Sequence, residues 1–505
     1  MTTLNVKIGA SQTEKPDSKS WERLSWQKIR KQVVRLQMRI AKATREGRIG
    51  KVKALQRILT SSFYAKCSAI KRVTSNKGAR TPGIDGILWR TNLQKITAVS
   101  KLQRRGYKPL PLRRIYIAKK QKWQFRPLSI PTMGDRSMQA LWHLALEPIA
   151  EERADPNAYG FRPKRSAKDA IEQCFNVLSK KLSAQFVFEG DIRSCFDQIS
   201  HEWLLKNIPM DKVILRKFLK AGFIEKKALY PTELGVPQGS IIGPTISLMA
   251  LSGLEKKLNS LFKKKKIKVN MISYADDFVV TAMRRELLEE SIIPVIESFL
   301  GEIGLEISKE KSKITHLEEG FDFLGFNIRK YNGKLLTKPS KASIRSCLTE
   351  IRKVIKSNKS AKTENLINLL NPKILGWGNY FRSVVSSRVF SYVDHNIYKA
   401  MWHWMLRRHP NKSKSWIKRK YLKTHKLCNT RIHAMVKKEN EIAPLYLCRM
   451  MDIGIRRHIK IRGDAHPYDL AFKEYFKQRD QSSKNLIPKG VRILKLVNEL
   501  QLADS

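Results

Sequence analysis

Two adjacent carboxylates, Asp276 and Asp277, lie between two short stretches rich in apolar residues, at 271–274 and 278–280. Asp is disfavoured inside a strand but tolerated at a tight turn, so the pattern predicts a hairpin with both acids at its tip. Neighbouring carboxylates repel each other, and a hard divalent cation such as Mg²⁺ relieves that repulsion while it also binds substrate phosphates. The stretch therefore predicts a metal-assisted phosphoryl-transfer centre. The alternative is an ordinary turn with two solvated acids.

A third carboxylate, Asp191, ends an apolar stretch at 186–192 that predicts a buried strand, and Phe196 stands at the exit of that strand. Two metal ions need a bridging acid besides the ligands of each ion. Asp191 would therefore complete, with Asp276 and Asp277, a site for two Mg²⁺ ions. Asp191 taken alone is ambiguous.

Two further stretches carry side chains that could hold a polyphosphate. Residues 104–120 pass from a proline-punctuated loop into a strand of alternating apolar and basic residues, and a second strand follows. Side chains alternate between strand faces, so Arg113 and Lys119 would reach the same phosphate chain if the strand is regular. A merely basic surface hairpin is the alternative. Gln238, in the Gly-Val-Pro-Gln-Gly-Ser loop at 235–240, can hydrogen-bond a chain that closely approaches the backbone.

The composition indicates a polyanionic partner. The chain has 505 residues, and 99 Lys and Arg against 44 Asp and Glu leave a net charge of +55, while 42% of the residues are hydrophobic. Such a chain folds into about two to four domains. So large a positive excess indicates nucleic acid bound through many phosphate contacts. No apolar run approaches the roughly 18 residues that cross a bilayer, so no membrane partner is expected.

Cysteine spacing and the leader bear on the compartment. The six cysteines form no Cys-x-x-Cys pair, which argues against a zinc ribbon or a disulfide framework and favours a reducing compartment. The polar leader at 1–19 carries Glu14 and Asp17 and lacks the features of a signal or transit peptide. The protein is therefore expected to work where it is made, in a chloroplast or mitochondrion if organelle-encoded and otherwise in the bacterial cytoplasm.

The elements that must position these side chains change in character along the chain. Residues 20–100 show helical periodicity with a basic outward face, and residues 101–337 mix strands and helices around the candidate site. Residues 338–430 are helical and basic, and residues 431–505 are basic and partly irregular. The chain therefore predicts an α+β body followed by a separate α-helical domain.

Eight short motifs, in this order, resemble those of group II intron-encoded proteins, which combine a reverse transcriptase with a maturase. Each motif is weak alone, but the ordered set extends over about residues 21–479. The motifs are Thr-Pro-Gly-Ile-Asp-Gly (81–86), Arg-Pro-Leu-Ser-Ile-Pro-Thr (126–132), Tyr-Gly-Phe-Arg-Pro (159–163), Asp-Ile (191–192) with Phe196, Pro-Gln-Gly (237–239), Tyr-Ala-Asp-Asp (274–277), Phe-Leu-Gly-Phe (323–326) and Gly-Trp-Gly-Asn-Tyr (376–380).

The resemblance implies a right-hand polymerase, with fingers and palm built on antiparallel sheet and an α-helical thumb that is also the maturase domain. It implies that Asp191, Asp276 and Asp277 are catalytic and bind two Mg²⁺ ions. The implied partners are intron RNA, an RNA template with a DNA primer, target DNA and dNTPs, and a homodimer is a candidate assembly. The other residues with expected roles are Arg113, Lys119, Phe196 and Gln238 for the nucleotide, with Phe196 as the gate against a 2′-hydroxyl; Leu324 and Gly325 for the primer grip; and Arg162, Arg165, Lys311, Arg407, Arg408 and Lys412 for RNA.

The last three of these cations surround His409-Pro410, where a helix must end, so they are expected to be exposed. The chain departs from many relatives at Ala118, Ser129, Ser240 and Gly243, where Pro, Gly, Gly and Ser are common.

The end of the sequence carries a separate expectation. It lacks the Cys-x-x-Cys pairs and His-rich core of an HNH nuclease, so no bottom-strand DNA cleavage is expected, and 431–505 is a candidate remnant of a DNA-binding region.

Two functions stay open. One is an RNA-directed DNA polymerase that also folds its intron RNA, and the other is a splicing-only maturase that keeps the polymerase body as a scaffold. The intact acids favour the enzyme, because an RNA binder gains nothing from an anionic cluster that faces phosphate.

Overall fold

The computed structural model of the chain describes residues 18–118, 125–264, 267–425, 428–438 and 441–484. Among these residues, no helix is both long and apolar enough to cross a bilayer. Five cysteines are free thiols, and the first three of them are buried: Cys67, Cys174, Cys195, Cys347 and Cys448.

The N-terminal region is helical. Ile29, Val33 and Ile40 of its second helix are buried, and Lys and Arg cover the opposite, exposed face, as the helical periodicity predicts. The helices are α1 (Ser18–Glu22), α2 (Trp26–Arg45), α3 (Ile49–Ser61), α4 (Phe63–Ser75) and α5 (Asn92–Lys101).

The predicted fingers and palm mix strands and helices, and a π-turn at Leu288–Ile292 joins two of the helices. The elements are β1 (Leu112–Ala118), β2 (Phe125–Ile130), α6 (Met133–Arg153), α7 (Ala167–Leu178), β3 (Phe186–Asp191), α8 (Cys195–Gln198), α9 (His201–Asn207), α10 (Lys212–Leu219), β4 (Phe223–Glu225), β5 (Ala228–Tyr230), α11 (Gly243–Leu251), α12 (Leu254–Lys264), β6 (Asn270–Tyr274), β7 (Asp277–Ala282), α13 (Arg285–Leu287), α14 (Ile293–Ile303), β8 (Lys313–His316), β9 (Phe321–Phe323), β10 (Phe326–Tyr331) and β11 (Lys334–Pro339).

Three sheets organise this part of the chain. The first has the strand order β2-β1-β4-β5, the second β6-β7-β3-β8 and the third β11-β10-β9. All pairings are antiparallel except that of β1 with β4. The second sheet contains both acidic stretches, so its central strands β3 and β7 position the candidate site.

Helix α6 runs through the middle of the body. It begins at Met133, and Pro148 lies inside it. Proline has no N–H for the carbonyl of Leu144 four residues before it. The side-chain amide of Gln37 donates to Leu144 O at 2.9 Å and satisfies that carbonyl. A buried contact from the N-terminal helices therefore lets the helix continue past its proline.

The region after the third sheet is helical, and Phe390, Met401 and Trp404 belong to a core that continues into the second sheet at Ile272 and Val279. The α+β class with a following helical domain is confirmed. The helices are α15 (Lys341–Ser357), α16 (Thr363–Phe381), α17 (Ser387–Arg408) and α18 (Lys414–Tyr421).

The C-terminal part combines regular and irregular segments. An antiparallel sheet of β12 (Leu422–His425), β13 (Cys428–Lys438) and β14 (Glu441–Tyr446) crosses the boundary expected at residue 430. Residues 456–480, which we call the C-terminal strap, then return to the palm and end in α19 (Lys473–Lys484).

Candidate active site

The predicted acidic hairpin is present. Strands β6 and β7 pair from Asn270 with Thr281 to Tyr274 with Asp277, and Ala275 and Asp276 form the two-residue turn. Ala275 has φ 59°, a left-handed conformation that costs a non-glycine residue on the order of 1 kcal/mol. Asp276 is thereby held at the tip, while Asp277 is the first residue of the returning strand.

A second segment, residues 157–160, packs against this turn. Tyr159 N donates to Ser273 O at 2.9 Å, and Ser273 N donates to Asn157 O at 3.0 Å. A Cβ at Gly160 would lie 2.2 Å from Ala275 N, so only glycine allows this approach. The Tyr-Gly-Phe-Arg-Pro motif therefore supports the turn of the expected catalytic acids, which we call the catalytic turn, a role that its sequence did not reveal.

Strand pairing brings the third acid to the hairpin. Asp191 is the direct partner of Asp277 in the register of β3 and β7, and Gly190 is the partner of Phe278. A Cβ at Gly190 would lie 2.2 Å from the Phe278 ring, so the glycine is required by that packing. Asp191, Asp276 and Asp277, which we call the carboxylate cluster, thus meet at one end of the central strands.

The surroundings of the carboxylate cluster destabilise the ionised form of Asp277. Desolvation first, and then repulsion by Asp276 and Asp191, raises the pKa of Asp277 to about 6, although part of this residue is exposed. Lys311 Nζ lies 2.8 Å from Asp191 Oδ2. This hydrogen bond raises the pKa of Lys311. Lys311, expected to bind RNA, therefore lies beside the acids.

The donor set fits a hard divalent cation in its chemistry. Carboxylate oxygens are the protein ligands that Mg²⁺ takes, and a cation would offset the repulsion that raises the pKa of Asp277. Across the described parts of the chain, however, no three His, Cys, Asp or Glu side chains are already grouped to hold a metal ion. The ion pair with Lys311 would have to give way first.

Two of the residues expected at the nucleotide lie beside the carboxylate cluster. Phe196, half-buried after β3, packs edge-to-face on Phe161 with ring centroids 5.9 Å apart. Gln238 Nε2 donates to the carboxylate of Asp197, at 3.1 Å and 3.3 Å. Val236 N donates to Phe196 O at 2.6 Å, so the 235–240 loop rests on the turn that follows Asp191.

The expected basic hairpin is present as β1 and β2. Arg113 is half-buried on β1 and is the register partner of Ile130. Ser129 N on β2 donates to Gln238 O at 2.7 Å, which joins this sheet to the 235–240 loop. Lys119 lies outside the described residues.

The departures at Ser240 and Gly243 are coupled. Ser240 Oγ accepts a hydrogen bond from Gly243 N at 2.9 Å, where α11 begins. A Cβ at Gly243 would lie 2.4 Å from that hydroxyl oxygen. The serine in one position therefore requires the glycine in the other.

The expected primer-grip turn is anchored on the helical domain. Leu324 and Gly325 have φ values of 51° and 81° between β9 and β10. Tyr380 donates its hydroxyl to Leu324 O at 3.0 Å, and Ser343 donates its own to Gly325 O at 3.0 Å. Tyr380 ends the Gly-Trp-Gly-Asn-Tyr motif, so two separate motifs meet here.

The structure corrects the RNA-binding expectation for two arginines. Arg162 is buried and its guanidinium contacts Glu151 at 3.0 Å, with both side chains at most 2% exposed. Arg165 is buried and donates to Pro156 O at 2.7 Å and to Gly463 O at 2.6 Å. Their guanidinium groups are used inside the protein and do not face a ligand.

Three cations of the helical domain behave differently from one another. Arg407 and Lys412 are exposed, as expected. Arg408 is half-exposed and donates to Ala361 O, so it is less exposed than expected.

Comparison with known families gives three matches along the chain. Residues 21–102 match the N-terminal domain of reverse transcriptase, residues 117–328 match reverse transcriptase (RNA-dependent DNA polymerase), and residues 344–422 match the group II intron maturase-specific domain.

Curated relatives include Protein YkfC of Escherichia coli, 31% identical over 323 residues that cover 55% of this chain and 83% of that protein. Group II intron-encoded protein LtrA of Lactococcus lactis is 29% identical over 345 residues, 55% of this chain and 57% of LtrA. A telomerase structure from Candida albicans covers 62% of this chain and 64% of its own, with 11% identity and a TM-score of 0.37, too low to support a statement on the fold. The relatives and the ordered family matches together show that this chain belongs to the family of group II intron reverse transcriptases and maturases.

Proposed function

We propose that the chain is an active RNA-directed DNA polymerase that also binds its intron RNA and promotes splicing. The observation that carries this proposal is the register pairing of Asp191 with Asp277 beside Asp276, which concentrates negative charge and raises the pKa of Asp277 to about 6. A surface that only binds RNA would be weakened by such charge. A polymerase needs it for its metal ions.

Reverse transcriptases of this family use divalent metal ions. Asp191, Asp276 and Asp277 would hold them, and we propose two Mg²⁺ ions. Bound ions would supply charge neutralisation for the attacking and leaving oxygens of nucleotidyl transfer. The chain's own contribution is to fix the carboxylates on paired strands and to hold their turn from below through Gly160.

The nucleotide would lie between the carboxylate cluster and the basic hairpin. Arg113 and Lys119 would contact its triphosphate, Gln238 would line its pocket, and the Phe196 ring would exclude a 2′-hydroxyl by bulk. Contacts from Ser129 to Gln238 and from Val236 to Phe196 support this assignment, since they tie the basic hairpin, the loop and the acidic strand together.

The polyanion partners follow from the charge. Intron RNA, an RNA template with its primer, and target DNA would contact the exposed cations of α2 and of the helical domain, including Arg407 and Lys412. Leu324 and Gly325 would position the primer, because their turn is held by the helical domain through Tyr380 and Ser343. A homodimer is part of the same proposal.

Primer extension on an RNA template tests the proposal. We expect the purified chain to incorporate dNTPs with Mg²⁺, and Asp276→Asn to slow incorporation by about a thousandfold or more while RNA affinity stays equal or rises. Asp322→Asn is the matched control, because Asp322 is an exposed acid on β9 away from the cluster. Efficient extension by the Asp276 variant would contradict the metal assignment. Intron splicing without any extension by the wild type would support the splicing-only maturase instead.

A further inference from the structure

The C-terminal strap crosses the side of the palm that supports the catalytic turn. Ile461, Ala465, His466 and Tyr468 of the strap are at most 8% exposed. A segment that only displayed cations to DNA would have no need of such burial. The inner face of the strap therefore packs against the protein. This face is not available for the DNA binding expected of residues 431–505.

One anchor of the strap is Asp169, at the start of α7. Its Oδ1 accepts from His458 Nε2 at 2.8 Å, from Ile461 N at 2.8 Å and from Arg479 at 3.0 Å. Its Oδ2 accepts from Ser166 N and Oγ, which caps α7. Burial alone would raise the pKa of Asp169, but these partners lower it. The carboxylate therefore joins both ends of the strap to the palm.

A second anchor is Arg165, which donates to Gly463 O of the strap and to Pro156 O of the palm. Its guanidinium also lies 5.5 Å from the centre of the Tyr159 ring. One contact between the strap and the segment that carries Tyr159 and Gly160 thus passes through the Arg165 side chain.

Further anchors reach the rest of the body. His466 Nε2 lies 3.1 Å from Glu152, which also pairs with Arg45 of α2, and Tyr468 donates its hydroxyl to Glu147. Arg456 N, at the start of the strap, donates to Arg382 O at the end of α16. The same helix holds the Leu324-Gly325 turn through Tyr380.

The path from strap to catalytic turn is continuous. Arg162 and Arg165 donate to the carbonyls of Asp155, Pro156 and Ala158. Tyr159 N then donates to Ser273 O, and Gly160 packs against Ala275 N. The backbone of Asp276 follows directly.

We propose that the C-terminal strap is a positioning element for the carboxylate cluster: through Asp169 and Arg165 it holds the Tyr159–Gly160 support against the catalytic turn and links that turn to the helical domain at Arg382. The expected effect on kcat rests on the proposed polymerase function, whereas the expected effect on amide hydrogen exchange does not. His458, Arg479 and Asp169 are positioning residues that touch no substrate.

Arg479→Gln tests the proposal from the strap side, without changing a palm residue. Amide hydrogen exchange of the metal-free protein, read on peptides covering 157–161 and 271–280, should become faster by about tenfold. If the chain polymerises, kcat should fall by about three- to tenfold with little change in KM for dNTP, since the loss is one of carboxylate placement. Arg479→Lys should restore at least half of either loss.

Arg431→Gln is the matched control. Arg431 on β13 pairs with Asp452, so the variant also removes an arginine from a carboxylate pair in the C-terminal region, and both residues precede the strap in the chain. We expect it to lower the melting temperature without faster exchange at 271–280. Should Arg479→Gln fold poorly, His458→Gln removes another strap partner of Asp169 and takes its place.

Unchanged exchange at 271–280 in both strap variants would overturn the proposal, and so would an equal increase in the Arg431 control, which would indicate general loosening. Faster exchange confined to the strap variants supports it even if the wild type shows no primer extension, an outcome that would count against the polymerase assignment alone.

Discussion

The palm holds two acidic sites that are built in opposite ways. Asp169 is buried, accepts hydrogen bonds from backbone, His, Ser and Arg donors, and has a lowered pKa. Asp277 faces two other carboxylates, and its pKa is raised to about 6. A structural carboxylate is surrounded by hydrogen-bond donors that stabilise its negative charge. A functional carboxylate lacks such donors, and a bound ligand can stabilise its charge instead. The contrast separates the acids that hold the protein together from those proposed to bind metal ions.

The largest expected effect is that substitutions at the two sites change the free energy of unfolding in opposite directions. Asp169→Asn should lower the free energy of unfolding by about 3 kcal/mol, because the half-buried His458 and Arg479 side chains and the Ile461 N–H lose the buried carboxylate that they contact. Asp277→Asn should raise it in metal-free buffer by less than about 1 kcal/mol, since the relieved repulsion is screened at a partly exposed residue. Denaturant unfolding of both variants measures the two changes. Destabilisation of similar size in both would break the comparison.

The cations divide in the same way. Arg162→Gln should cost about 3 kcal/mol of stability, because it leaves Glu151 buried without its partner.

Neutralising Arg407 and Lys412 together should leave the melting temperature unchanged. It should reduce the dependence of intron RNA affinity on salt, with the slope of log affinity against log salt concentration falling by about two. Thermal melts and binding titrations at several salt concentrations check both. We also expect that double variant to lose splicing at physiological salt while it still extends a primer, and an equal loss of both activities would argue against a separate RNA surface.

Phe196→Ala addresses the ring beside the carboxylate cluster. If the ring rejects the 2′-hydroxyl by bulk, as proposed, its removal should lower the preference for dNTP over NTP by about ten- to hundredfold. Single-nucleotide incorporation kinetics with both substrates give the ratio. An unchanged preference would assign the ring to packing against Phe161 alone.

The last prediction concerns acid stability. Because the pKa of Asp169 is lowered in the fold, its contribution is fully present above the unfolded value of about 4 and is lost as the pH falls through the lowered folded value. Wild type and Asp169→Asn should therefore converge in stability as the pH falls below about 4. The charged neighbours on every side are His458, Arg479, Arg165, Lys168 and Glu172. Unfolding curves at a series of pH values test this, and a constant difference between the two proteins would contradict it.

Local patterns in the sequence were sufficient for the elements that they form. The acidic hairpin, the basic amphipathic helices and the α+β class follow from periodicity and turn chemistry within short windows, and the family resemblance rests on motifs of the same length. These features depend on neighbouring residues, which is why they can be predicted without knowledge of the fold.

Tertiary structure alone decided which residues meet. Asp191 reaches Asp277 through strand register, Pro148 stays in its helix because Gln37 satisfies Leu144 O, and the strap reaches Asp169 from 289 residues away in the chain. Arg162 and Arg407 look alike as sequence, yet one is buried on a carboxylate and the other is exposed. Pairings between distant segments depend on how whole elements pack, and no short window of residues contains that information.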